Sequence, residues 1–210
     1  MKNYVITIAR GFGSGGKEIG MKLADRLKIP CYERQILTMA SEFSGIDEGE
    51  FVEVDEKLRT NYFMQMLKRV QNTKLVLEPS DKRFVSDINL FHIQSKIIQE
   101  LSHTQSCIII GKCADYVLKD KDNVVSLYIE APRKACVESI MRKMGVSEER
   151  AHYLIRRTDK YRSEYYKYYT GGGDWTNPTN YHLVLNSDKI GRDRCVDVIQ
   201  QYVEYQFGFD

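Results

Sequence analysis

The chain lacks the marks of several protein classes. Its five cysteines (Cys31, Cys107, Cys113, Cys136, Cys195) include no C-x-x-C pair, and its four histidines (His92, His103, His152, His182) no H-x-x-x-H pair. A disulfide framework and a zinc site are built on such spacings, so neither is expected and no residue is named as a metal ligand. A charge surplus is also missing. The formal net charge is +2, which does not indicate a surface coated for nucleic acid. The apolar run near the start, Tyr4–Ala9, is too short for a membrane span, and no signal-peptide cleavage pattern follows it. There is no internal repeat and no low-complexity tract. What is present is ordinary globular composition, 42% hydrophobic and 29% charged over 210 residues, enough to bury a core. The expectation is a reduced, cytoplasmic protein that engages neither nucleic acid nor membrane.

Strand-like and helix-like segments alternate. YVITIA at Tyr4–Ala9 is β-branched and bounded by glycines, which predicts a buried first strand. Lys17–Leu27 places Ile19, Leu23 and Leu27 on one helical face. Ile29-Pro30 breaks that helix before a short strand at Cys31-Tyr32, and Gln35–Phe43 reads as helical. Asp47–Val54 is acidic and loop-like; Lys57–Val70 and Asp87–Leu101 are amphipathic helices. CIII at Cys107–Ile110 and VVSLYI at Val124–Ile129 are further strands. Pro132 suits the start of a helix reaching Met144, and Ser147 caps a long helix to Tyr169. A last strand, His182–Leu185, and a last helix, Asp193–Tyr205, complete the pattern. The recurrence predicts an α/β fold, a parallel sheet covered by helices on both faces. Residues 47–85, weak in strand signals, insert between the second and third strands.

The most informative segment is Gly11-Phe12-Gly13-Ser14-Gly15-Gly16-Lys17-Glu18. Between a strand and a helix, exposed backbone N–H groups and the helix dipole favour an anion, and the glycines let backbone approach a ligand. Two templates fit. Gly11-x-x-x-x-Gly16-Lys17 matches a Walker A loop, whose lysine reaches the β- and γ-phosphates. Gly11-x-Gly13-x-x-Gly16 matches the dinucleotide fingerprint, with Glu33 where a ribose-binding acid would sit. The lysine and a later arginine-rich helix favour the kinase template over a dinucleotide-dependent oxidoreductase; a tight turn with no ligand is the bland alternative. Walker A loops follow the lysine with Ser or Thr, which ligates Mg²⁺. Here Glu18-Ile19 follows, and neither offers a hydroxyl.

Arg156, Arg157, Lys160 and Arg162 fall within about two helical turns. Cations on a closing segment would stabilise the charge of phosphoryl transfer; a solvated face laced with ion pairs is the competing reading. Tyr161, Tyr165, Tyr166, Tyr168 and Tyr169 read as packing, against neighbouring elements or a partner subunit, which leaves a homodimer open. On the acceptor side, Arg34 and Lys112 sit just past strand carboxyl ends, where open α/β sheets bind ligands. Asp115 follows as either a helix-end charge or a ligand.

Three blocks in order resemble the bacterial cytidylate kinase-like family: Ala9–Gly20 (ARGFGSGGKEIG), Ile110–Tyr116 (IGKCADY), and Arg157–Arg162 continuing through Tyr165–Gly171. YHLVLNS at Tyr181–Ser187 also fits. The resemblance spans nearly the whole chain and speaks against a dehydrogenase. It implies a three-layer P-loop NTPase fold over residues 1–210, with a five-stranded parallel sheet, a helical acceptor-side insertion at 47–103 and a lid at 147–173. It implies ATP and Mg²⁺ as cofactors, with Gly11, Gly13, Ser14, Gly15, Gly16, Lys17 and Glu18 on the donor phosphates. Lys17, Arg157 and Arg162 are the implied catalytic cations. Arg34, Lys112, Asp115 and Arg156 are expected on the acceptor side. The family usually carries Arg where Lys112 stands; lysine keeps the charge and loses the bidentate grip. The expected activity is phosphoryl transfer to a nucleoside monophosphate such as CMP, with a nucleotide-binding regulator lacking transferase activity as the alternative.

Overall fold

The computed structural model describes residues 3–44 and 87–208. Five parallel strands form one sheet: β1 (Val5–Arg10), β2 (Cys31–Tyr32), β3 (Cys107–Ile110), β4 (Val124–Glu130) and β5 (Leu183–Asn186), in the order β2-β3-β1-β4-β5. The central strands read as near-continuous apolar runs, interrupted by Thr7 and Ser126, because both faces are covered. Alternate residues feed different layers. In β1 and β3, Val5, Cys107 and Ile109 join one core, while Ile6, Ile8, Ile108 and Ile110 join the other.

The first layer is α2 (Gln35–Ser44) and α3 (Asp87–Thr104), which contribute Ile36, Met39, Ile93, Ile97, Ile98 and Leu101. The second is α1 (Gly16–Leu27) with the C-terminal helix, α8 (Arg192–Phe207), packed through Ile19, Leu23, Cys195, Val196, Ile199 and Val203. Between them in sequence lie α4 (Ala114–Val117), α5 (Arg133–Met144), α6 (Glu148–Tyr169) and α7 (Ser187–Ile190). All five strands are parallel, so their carboxyl ends lie along one edge of the sheet, where the glycine loop follows β1.

The strand expectations hold to within a residue or two, and Cys31–Tyr32 and Cys107–Ile110 hold as read. Ser147 caps α6 as expected, its side chain accepting from the Arg150 amide at 3.2 Å. The four-residue helices α4 and α7 were not anticipated; they are too short to show a 3.6-residue period. The loop at 47–54, the helix at 57–70 and most of the 47–103 insertion lie outside the described residues; α3, the last part of that range, is a layer of the core.

The strand order also bears on the two glycine templates. Dinucleotide-binding sheets place β2 beside β1. Here β3 stands beside β1 and β2 is at the edge, so the oxidoreductase template fails on topology.

Among the described residues no helix is long and apolar enough to cross a membrane.

Candidate active site

The glycine loop joins β1 to α1. Gly15, left-handed at φ 87°, ends the loop, and α1 starts at Gly16 with no side-chain cap. The first-turn amides of an uncapped helix want an anionic partner. Gly13 (φ 97°) is pinned by packing: a Cβ there would lie 2.7 Å from the Cys136 carbonyl oxygen. Ser14 is buried and turned inward. Its hydroxyl donates to the Gly11 carbonyl at 2.9 Å, and its own carbonyl accepts from the Ser187 hydroxyl at 2.5 Å. The serine therefore braces the loop and offers a ligand only backbone.

Five charged side chains meet where the loop faces the ends of β1 and β2. Glu33 Oε1 accepts from Arg10 Nη2 at 2.9 Å, and Glu33 Oε2 is 2.6 Å from Lys17 Nζ. Burial pushes the Glu33 carboxyl up, but the Lys17 hydrogen bond and the Arg10 charge outweigh it and hold it below the usual range. Arg162, on α6, donates from Nη1 to the Arg10 carbonyl at 2.9 Å. Burial, with the nearby Arg10 charge, pulls its guanidinium down to about 10. The fifth group, Asp159, lies one turn back on α6. Its Oδ1 accepts from the Phe12 amide at 2.9 Å and lies 3.4 Å from Arg162 Nη1. Burial and the Glu130 charge push the Asp159 carboxyl up, against the Phe12 amide and Arg162. A carboxylate thus sits on a loop amide that a phosphate oxygen would also seek.

On the far side of Arg10 and Glu33 from the loop opens a cavity of about 310 Å³, at the small end of ordinary ligand sites. Arg10, Arg34, Lys112 and Arg162 give its wall a cationic side, and Asp115, Trp175 and Tyr181 lie on the same wall. Gly111, Lys112 and Cys113 are all left-handed (φ 75°, 61° and 52°). That succession turns the chain sharply after β3 and sets Lys112 and Asp115 on one cavity wall. Such conformations cost free energy for non-glycine residues and cluster at ligand sites. A Cβ at Gly111 would strike the Arg10 guanidinium. Burial, with Arg10 nearby, lowers the Lys112 ammonium to about 8. Behind the wall, Tyr128 stacks on Tyr181 with centroids 5.3 Å apart and meets the Trp175 edge at 5.6 Å. Tyr165, Tyr166 and Tyr169 pack in the same cluster, which accounts for much of the tyrosine run as packing; Tyr161 and Tyr168 stay exposed.

The structure brings together Gly11, Gly13, Gly15, Gly16, Lys17 and Arg162 around one recess, and Arg34, Lys112 and Asp115 around the neighbouring cavity. It does not bring in Arg156 or Arg157: both are exposed and make no hydrogen bond or ion pair among the described residues. Glu18 is neutralised by three cations, Arg192 at 2.6 Å, Lys143 at 3.1 Å and Lys22 at 3.4 Å, tying α1 to α5 and α8. Sequence reasoning missed Arg10, Asp159 and Glu130 and assigned Glu33 only under the dinucleotide template. Their signal was weak: each is one charged residue at a strand end or in a charged helix.

Magnesium is held by hard oxygen ligands in octahedral geometry. P-loop enzymes hold it with the hydroxyl after the lysine and an acid near a strand end. Glu18 stands in the first place, engaged as described, and β3 ends in Ile110-Gly111. Glu130 accepts from the Tyr128 hydroxyl at 2.7 Å and the Ala131 amide at 2.9 Å. Among the described residues no group of three or more His, Cys, Asp or Glu is placed to hold a metal. The described residues do not present the usual magnesium ligands.

Solved structures share the architecture. An uncharacterized protein from Eubacterium ventriosum aligns with TM-score 0.69 at 22% identity, covering 96% of this chain and 99% of that one. Shikimate kinase from Bacteroides thetaiotaomicron aligns with TM-score 0.52 at 11% identity over 96% and 98%. Shikimate kinase from Acinetobacter baumannii in complex with shikimate aligns with TM-score 0.50 at 11% over 98% and 95%. A search of curated proteins finds no match. The sequence model of the cytidylate kinase-like family matches residues 5–189, and the chain belongs to that family, a phosphotransferase by class.

Proposed function

We propose that the chain transfers the γ-phosphoryl group of ATP to a small acceptor in the neighbouring cavity, a nucleoside monophosphate such as CMP. One observation supports this above the others: the uncapped glycine loop and the cationic cavity meet at a single junction, Arg10–Glu33–Lys17, with Arg162 above it. The backbone of Gly13–Gly16 and Lys17 would hold the β- and γ-phosphates. Lys17, 57% exposed, would exchange Glu33 for phosphate. Arg10 and Arg162 would neutralise charge on the group in transit, and α6, within the lid segment 147–173, would carry Arg162 and Asp159 over it. Arg157 joins only if that segment moves. Lys112 and Arg34 would hold the acceptor's anionic end. A phosphate monoester acceptor is already ionised, so positioning and charge neutralisation carry the reaction without a general base. The setting is the cytoplasm, with small nucleotides as the partners.

A nucleotide-binding regulator without transferase activity is the second reading. It is favoured by Asp159 on the Phe12 amide and by the lack of a metal-ligand group among the described residues. Incubation with ATP, Mg²⁺ and a panel of nucleoside monophosphates, with Lys17→Ala as control, separates the two. A diphosphate product formed by wild type alone supports transfer; saturable ATP binding with no product from any monophosphate supports the regulator.

A further inference from the structure

Asp115 is the one acid on the acceptor-cavity wall that no described cation neutralises. It is 8% exposed, and its Oδ2 has no hydrogen-bond partner among the described residues. The Tyr166 hydroxyl and the amides of residues 115 and 116 favour its charged form, but burial outweighs them and the carboxyl is held above its usual range. An unmatched buried acceptor costs stability. Its sequence neighbours Cys113, Ala114 and Leu118 are buried and apolar, and none of them offers Oδ2 a side-chain hydrogen bond. Lys112, three residues before Asp115, stands with Arg10 and Arg34 on the same cavity. The cavity therefore offers both cations for an anionic group and one buried oxygen with a lone pair to fill.

We propose that Asp115 is a specificity-determining residue that accepts a hydrogen bond from an N–H or O–H of the acceptor molecule, whose anionic group is held by Lys112 and Arg34. This rests on the phosphotransferase reading for the identity of the cavity. It narrows the acceptor class to a phosphate monoester whose far end carries a donor. A molecule that turns a carbonyl toward Oδ2 sets two lone pairs against each other. Sites built to hydrogen-bond a substrate group reject analogues without it strongly. The 310 Å³ of space favours a single-ring base over a purine.

CMP and UMP form a matched pair of probes, alike except at the ring edge, where an exocyclic amine replaces a carbonyl. Calorimetric titration of the whole chain is expected to show CMP bound about tenfold or more tighter than UMP. Asp115→Asn, which presents an N–H as well as an oxygen, is expected to erase that ratio or turn it toward UMP. Thermal melting of the ligand-free proteins gives a second readout. If Asp115 is kept for a ligand, Asp115→Asn melts at or above the wild-type temperature; if it is structural, melting falls. Equal binding of CMP and UMP by wild type, a CMP preference that survives Asp115→Asn, binding of neither nucleotide, or a lowered melting temperature overturns the proposal. ATP titration of wild type reads the donor side separately: failure there refutes the kinase reading and leaves the acceptor result standing.

Discussion

Asp159→Asn probes the contact between α6 and the glycine loop. In the ligand-free protein, Asp159 Oδ1 accepts from the Phe12 amide at 2.9 Å and neighbours Arg162 at 3.4 Å. Donor phosphates arriving at the loop would meet a carboxylate of like charge on the amide they need. Two unit charges about 4 Å apart in partly screened surroundings repel by about 4 kcal/mol at an effective dielectric constant near 20. Movement of α6 and solvent screening reduce that. The bond surrendered is worth about 1.5–3 kcal/mol when one partner is charged. Asparagine keeps the shape and the acceptor oxygen without the charge. A net gain of about 1.4 kcal/mol is expected, or about tenfold tighter ATP binding, read by calorimetry at neutral pH. The pH dependence supplies a check with a definite sign. Because the Asp159 carboxyl lies above its usual range, its protonated form is favoured by folding, and the associated stability is lost as pH rises through the folded value. At neutral pH the charge is therefore a cost, and the ligand-free variant is expected to melt no lower than wild type. The affinity advantage of Asp159→Asn should shrink as pH falls and wild-type Asp159 takes up its proton. Weaker ATP binding by Asp159→Asn would refute this reasoning and make Asp159 a support of the loop.

Glu33→Gln removes the counter-charge of Arg10 and Lys17. With Arg10 only 15% exposed, it should lower unfolding free energy by about 2–4 kcal/mol in a denaturant titration. Since the Glu33 carboxyl lies below its usual range, its stabilisation is present above the unfolded value and lost as pH falls through the folded one; Glu33→Gln should lack that acid-limb loss. Lys112, lowered to about 8, should lose its charge as pH rises through that value. Apparent acceptor affinity should fall there, and Lys112→Arg should remove the fall, as seen in KM against pH. Gly13→Ala strains a left-handed position and drives a Cβ against the Cys136 carbonyl. It should destabilise the fold by about 1–3 kcal/mol in thermal melts and weaken ATP binding.

The sheet was legible because its signal is local and repeated. CIII and VITIA can bury themselves only in a doubly covered parallel sheet, and the glycines mark where the first strand ends. The donor loop was legible for the same reason: Gly11 through Lys17 are contiguous. The junction was not. Arg10 meets Glu33 across 23 residues and Asp159 meets Phe12 across 147, distances over which a single charged residue leaves no pattern. Arg157 and Arg162 looked equivalent in sequence, five residues apart on one helix. That spacing is about 140° away from a common face, so one turns to the loop and the other to solvent. Glu18 looked like a misfit beside a phosphate loop because its three cations come from α1, α5 and α8. Only packing assembles them.

A bisubstrate compound joining adenosine and cytidine through five phosphates tests most directly whether the loop and the cavity are two halves of one transfer site. It is expected to bind far tighter than ATP or CMP alone, in competition with both, and to lose that advantage in Arg10→Ala, where the two halves meet. Affinity no greater than that of ATP, with CMP binding undisturbed, would contradict a shared site.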